Sequence, residues 1–177
     1  MVPIAARQDS ATALERGSSG LRFVQAAMVV GLLFAAVSLY WSVGGTVLLD
    51  TVGGALERGG RTHSVGTILL AWAAVFLKVN ASVLPLLAVR RAGSRWHRLV
   101  RGVVWVEAVV LPLYGLALTG VVILIQVGVI PAAPSADHRA LAWHAFLWDP
   151  WFLMWGLLVA AALLHMRGQV ETEHAAV

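Results

Sequence analysis

The sequence predicts an all-α, polytopic membrane protein, an up-down bundle of four transmembrane helices. Three observations carry this. The 177 residues are 59% hydrophobic and only 12% charged, about half the charged fraction of a soluble domain, and the mean hydropathy is +0.80. The apolar residues gather into four long blocks, and a hydrocarbon core of about 30 Å needs about 20 helical residues to cross it. Between the blocks the positive charge is distributed unevenly, as expected of loops on opposite sides of a membrane.

Residues 1–20 are polar, small and of mixed charge, and read as a flexible cytoplasmic arm leading into the first helix. The spans then run over about 21–43, 64–89, 102–129 and 148–166, within a transmembrane domain of residues 21–167, and residues 168–177 form a cytoplasmic tail. The fourth block is short unless Ala145 to Trp148 extend it, so its start is the least defined boundary. A signal peptide ending near Ala36-Val37-Ser38 is the competing reading of the first block. Leu39-Tyr40-Trp41 weigh against it, because amphipathic rings there suit the headgroup region.

Orientation follows from the arginines. The second loop carries Arg90, Arg91, Arg95, Arg98 and Arg101, whereas the third carries only Arg139. In the first loop Arg58 and Arg61 are partly offset by Asp50 and Glu57. The second loop is therefore expected in the cytoplasm. With four spans both termini join it, at a bacterial cytoplasmic membrane, consistent with Arg7, Arg16, Arg22 and Arg167. The pI near 10.7 then reflects topology, and nucleic acid is not expected as a partner. The absence of cysteine excludes disulfides, thiolate metal sites and dithiol redox chemistry.

Within lipid, helices associate through close contact of small residues. Ala27, Gly31 and Ala35 make such a stripe on the first helix, and Gly156 and Ala160 on the fourth. On the second, Ala71, Ala74, Ala81 and Ser82 share a face with Lys78, the chain's one lysine, while Asn80 points away. Lys78 lies 12 residues before Arg90, hence about 18 Å from the cytoplasmic end of its helix. A lysine at that depth costs roughly 2.5–3.5 kcal/mol on insertion scales. Its expected partner is Glu107, the one acidic residue deep inside a span, should the second and third helices pack side by side.

Two readings of that pair stand: a buried ion pair that fixes register without chemistry, or a binding or proton-transfer site. Tyr114 lies seven residues after Glu107 on the same face, with Pro112 between them, where a proline can free a carbonyl. Glu107, Lys78 and Tyr114 are the candidate catalytic residues, with Ser82 beside them.

A second constellation lies at the opposite rim. It gathers Tyr40 and Trp41, the glycine pairs 44–45 and 53–54, Asp50, His63, and from the third loop Asp137, His138, Trp143, His144 and Asp149. Trp148, Trp151 and Trp155 recur at helical spacing and form one aromatic stripe, facing either lipid or a cavity among the helices. Tyr40, Trp41, Asp50, Trp148, Trp151 and Trp155 are the candidate ligand-binding residues, the alternative being an interfacial aromatic belt. The histidine and aspartate gaps match no compact metal motif, so neither metal nor cofactor is expected.

The element Tyr40-Trp41-x-x-Gly44-Gly45, followed by Leu49-Asp50-Thr51-Val52-Gly53-Gly54 and later by Asp149-Pro150-Trp151-Phe152, resembles a family of short four-helix bacterial membrane proteins, mainly actinobacterial, classed as a domain of unknown function. The resemblance covers residues 20 to 167. It implies a fold and a topology but no reaction, and no catalytic residue is carried over from it.

The leading functional expectation is a bundle that binds a lipid-like or isoprenoid small molecule at an intramembrane polar site formed by Lys78 and Glu107. The alternatives are an intramembrane cyclase or isomerase acting on an isoprenoid, with Glu107 as general acid or base, and an accessory subunit that pairs with a membrane protein partner. Membrane lipids surround the chain in every case. Both the binding and the enzyme readings require a cavity that touches Lys78 or Glu107.

Overall fold

The computed structural model describes the backbone of residues 4–90, 95–134 and 136–175, and the side chains of 19–88, 95–134 and 136–165. Arg91 of the basic second loop lies outside the described residues, as do the side chains of Arg7, Arg16, Arg90 and Arg167. The helices are α1 (Ile4–Ser42), α2 (Gly54–Arg61), α3 (Val65–Arg90), α4 (Arg95–Gln126), α5 (His138–Trp143) and α6 (Asp149–Ala175). Four helical stretches are long and apolar enough to cross a membrane: Ser19–Ser42, Val65–Ala88, Arg95–Gln126 and His138–His165.

Several boundaries differ from the sequence reading for local reasons. Helix α1 starts just after Pro3, inside the stretch read as an arm, where Ala5, Ala6, Ala11, Ala13 and Leu14 are strong helix formers. The fourth helical path starts at His138. Its first turn is capped by Asp137, whose carboxylate accepts from the backbone N–H groups of Arg139 (2.9 Å) and Ala140 (3.2 Å). A π-helical turn, His144–Trp148, joins α5 to α6. Pro150 follows, after Asp149. It has no N–H to give to the carbonyl four residues back, so the regular ladder is interrupted at this point.

The four spans stand around the bundle in chain order. The α1–α3, α4–α6 and α1–α6 seams are closely packed, whereas α3 and α4 touch far less. Small residues make the close seams. A side chain at Gly31 would collide with Ser82 of α3 and the Trp155 ring of α6, and one at Gly156 with the Pro112 ring of α4. Gly115 lets α4 run against the backbone of α6 at Leu153. Ala27 and Ala35 are buried on the α1 stripe. The expected small-residue faces of α1, α3 and α6 are thus where the helices meet.

The first loop is built, not slack. Gly44, at φ +96°, turns the chain out of α1. A 3-10 turn at Leu49–Thr51 follows. Gly53, at φ +68°, then starts α2, a short helix bearing the Glu57–Arg61 pair (2.9 Å). Neither α2 nor the 3-10 turn is read from the sequence, because both are too short to show a hydrophobic period.

Candidate functional site

Lys78 faces α1, as the small residues around it imply. Its ammonium donates to Ser38 Oγ at 2.7 Å and lies 3.5 Å from the centroid of the Phe34 ring. The hydroxyl takes one of the three N–H donors, and the ring face supplies a cation–π contact. Asn80 turns outward and returns its amide to Phe76 O of its own helix at 2.7 Å. Ser82, buried against Gly31, donates to Lys78 O at 2.6 Å.

Above Lys78, toward the end of the bundle carrying the first and third loops, a cavity of about 450 Å³ opens among the helices. That lies within the usual range for small-molecule sites. Lys78 and Ser38 form its polar inner end, Phe34, Trp41, Trp148 and Phe152 its aromatic walls, and Ala71 and Ala74 of α3 leave it room. Tyr114 of α4 lines it too, its ring edge-on to Phe152 at 5.2 Å.

The first loop roofs this cavity, and three consecutive residues fasten the roof to the fourth helical path. Asp50 pairs with Arg139 at 2.8 Å. Thr51 Oγ1 accepts from Trp148 Nε1 at 3.1 Å. Val52 O lies 3.3 Å from His144 Nε2, and the other ring nitrogen, Nδ1, lies 3.1 Å from Asp149 Oδ1. His144 and Asp149 are five apart, which in an α-helix of 3.6 residues per turn points them in different directions. The π turn brings them together, which is why the pairing is invisible to α-helical periodicity. The tryptophan indoles are fixed as well: Trp41 Nε1 donates to Val47 O at 2.9 Å, and its ring lies edge-on to Trp148 at 5.5 Å.

Residues 31–159 match the profile of a family described as "Protein of unknown function (DUF3995)". The chain belongs to the DUF3995 family. Neither the curated proteins nor the solved structures offer a match. The matched DUF3995 segment contains Lys78, Glu107, the whole roof and the entire lining of the cavity. The Leu49-Asp50-Thr51-Val52-Gly53-Gly54 element now has a structural meaning in this DUF3995 protein, since Asp50, Thr51 and Val52 are the three fastening residues.

Of the candidate site residues, the structure brings Lys78, Tyr114, Trp41 and Trp148 to one cavity. The others lie elsewhere. Tyr40 covers the turn at Gly45, leaving no room for a side chain there, and its hydroxyl accepts from Val47 N at 3.4 Å. Asp50 is spent on Arg139. Trp151 donates to Val30 O of α1 at 3.1 Å, and Trp155 is buried in the core against Gly31. The aromatic stripe of the fourth helical path therefore faces α1, and of its three rings only Trp148 lines the cavity. Among the described residues no cluster of metal-ligating side chains occurs.

Glu107 does not meet Lys78, and no ion pair joins them among the described residues. Gly31 marks a common level with Ser82 and Trp155, and the next residue, Gly156, meets Pro112. From that level Lys78 is four residues toward the roof and Glu107 five residues the other way, about 13 Å apart along the bundle. Each side chain leans toward its own helix N-terminus, and α3 and α4 run antiparallel, so the two diverge. Glu107 is 8% exposed, and neither carboxyl oxygen has a hydrogen-bond partner among the described residues.

Proposed function

We propose that the protein binds a lipid-like small molecule, of isoprenoid or similar apolar character, in the cavity that ends at Lys78. The observation that carries this reading is the cavity itself, aromatic-walled and closed at its inner end by an ammonium group that has no carboxylate partner among the described residues. An apolar body gains by burial against the walls. A polar end group gains a charged donor in a low-dielectric setting, where such bonds are strong. The residues that roof the cavity fasten the first loop over its rim.

An intramembrane enzyme using Glu107 has less support, because Glu107 does not line the cavity. We place the roofed end outside and the arginine-rich second loop inside a bacterial cytoplasmic membrane, on the strength of the positive-inside rule. Cysteine substitutions at Thr62 and Arg98, probed with an impermeant maleimide on intact cells, test this. Labelling of position 62 and protection of position 98 is expected, and the reverse pattern would invert the topology.

The binding reading is tested by filling the cavity. Ala74 lines it, and Ala74→Trp would occupy it without removing Lys78. Wild type purified into nanodiscs should yield a near-stoichiometric apolar molecule on solvent extraction, and Ala74→Trp should not. Equal yields from both proteins, or none from either, would count against the proposal.

A further inference from the structure

The charges that line the cavity constrain the polar end of its occupant. Besides Lys78, the titratable side chains of the lining are His63, Tyr114, His144 and Asp149. Asp149 is the sole carboxylate among them, and His144 holds it at 3.1 Å. No carboxylate in the lining therefore remains for Lys78, whose neighbours are a hydroxyl and a ring face, with donors to spare. An ammonium in an apolar site is costly without a counter-charge. No arginine joins it in the lining, so the site lacks the multiple or forked donors with which proteins usually hold phosphate dianions. One ammonium beside one hydroxyl suits a single carboxylate.

The way in is equally constrained. The roof closes the axial route, through its contacts at Asp50, Thr51 and Val52. The cavity is nonetheless not fully enclosed. The loosest seam of the bundle is α3–α4, and one cavity-lining residue on each side of it is well exposed, Leu70 at 61% and Tyr114 at 49%.

We infer that the occupant is a monocarboxylate with a long apolar chain, and that it enters from the lipid between α3 and α4, its head stopping at Lys78 and Ser38. This rests on the ligand-binding reading above and adds the head group and the route. A membrane-dissolved acid reaches such a seam without crossing the polar roof, and its chain trades lipid for aromatic walls.

The test uses the full chain in phosphatidylcholine nanodiscs, with empty nanodiscs as the blank. Palmitic acid, hexadecanol and methyl palmitate, each tritiated, are titrated by scintillation proximity. The acid should bind at least about tenfold more tightly than the other two, the ratio expected of a charge-assisted hydrogen bond. Lys78→Met should remove that preference, bringing the acid's affinity down to that of the alcohol. Where Lys78→Met fails to fold, the three probes on wild type decide alone. Equal affinity for all three would overturn the carboxylate assignment and leave the ligand-binding reading standing. No binding of any probe would count against both. For the route, the chain has no cysteine, so Leu70→Cys with Tyr114→Cys gives a clean pair for a bifunctional maleimide. Bridging the pair should slow association and release of the acid together. Unchanged rates would overturn the lateral path.

Discussion

Lys78 Nζ donates to Ser38 Oγ at 2.7 Å, joining α3 to α1 across 40 residues of sequence. The bond ties the most lipid-exposed span to the rest of the bundle at the inner end of the cavity. Interhelical bonds in membranes contribute modestly, because a separated helix finds other partners. Ser38→Ala should therefore lower stability by roughly 0.5–2 kcal/mol, measured by unfolding in mixed detergent. Lys78→Met removes the ammonium as well as the bond, and its stability should equal or exceed that of wild type. A large loss in Lys78→Met would mean that the ammonium serves structure first.

Glu107 makes the opposite comparison. Its carboxyl is buried and unpartnered among the described residues, and a buried polar group without hydrogen bonds is a cost. Glu107→Leu should raise stability by about 1 kcal/mol or more and leave ligand affinity unchanged, since the residue is outside the cavity lining. Thermal unfolding and binding on the same preparation check both halves. Weaker binding in Glu107→Leu would return this residue to the site.

The glycines separate cleanly into two kinds. At Gly31 an added methyl meets Ser82 and the Trp155 ring, whereas at Gly102 it meets nothing. Gly31→Ala should cost roughly 1–3 kcal/mol through overpacking. Gly102→Ala should be neutral or stabilising by up to about 1 kcal/mol, since alanine restricts the unfolded chain and favours helix. Comparing the two melting temperatures tests whether α1, α3 and α6 meet at this level.

The roof contacts differ in depth, and so should their contributions. Asp50 and Arg139 are partly exposed, and such pairs contribute about 0–1 kcal/mol. The Trp148–Thr51 bond is buried, and Thr51→Val would leave the indole N–H unpaired at about 1–3 kcal/mol. Amide hydrogen exchange over residues 46–53 should accelerate strongly in Thr51→Val and little in Asp50→Asn. Equal effects would mean that the roof is held as one cooperative unit.

Much of the fold was legible because lipid imposes strict lengths and closes helix seams with small residues. The four spans, the Lys78 face with Ala71, Ala74 and Ser82, and the Gly31 and Gly156 contacts all follow from spacing. The Lys78–Glu107 relation was not legible. Depth counted from arginines gives no register between helices, and Cβ direction separates two residues that hydropathy places close. The His144–Asp149 pairing was hidden by the π turn, although Pro150 is the local signal that the helical ladder must change there. The roof was hidden because its fastening runs through side-chain contacts between two loops, which no period records.

The most direct test of the cavity as a ligand site is photolabelling with an apolar diazirine probe in native membranes, followed by peptide mapping. Labels should concentrate on Phe34, Trp41, Trp148 and Phe152, compete with unlabelled palmitic acid, and vanish in Ala74→Trp. Labels confined to the lipid-facing side of α3, at Leu69, Trp72 and Phe76, and insensitive to competitor would contradict a binding site within the bundle.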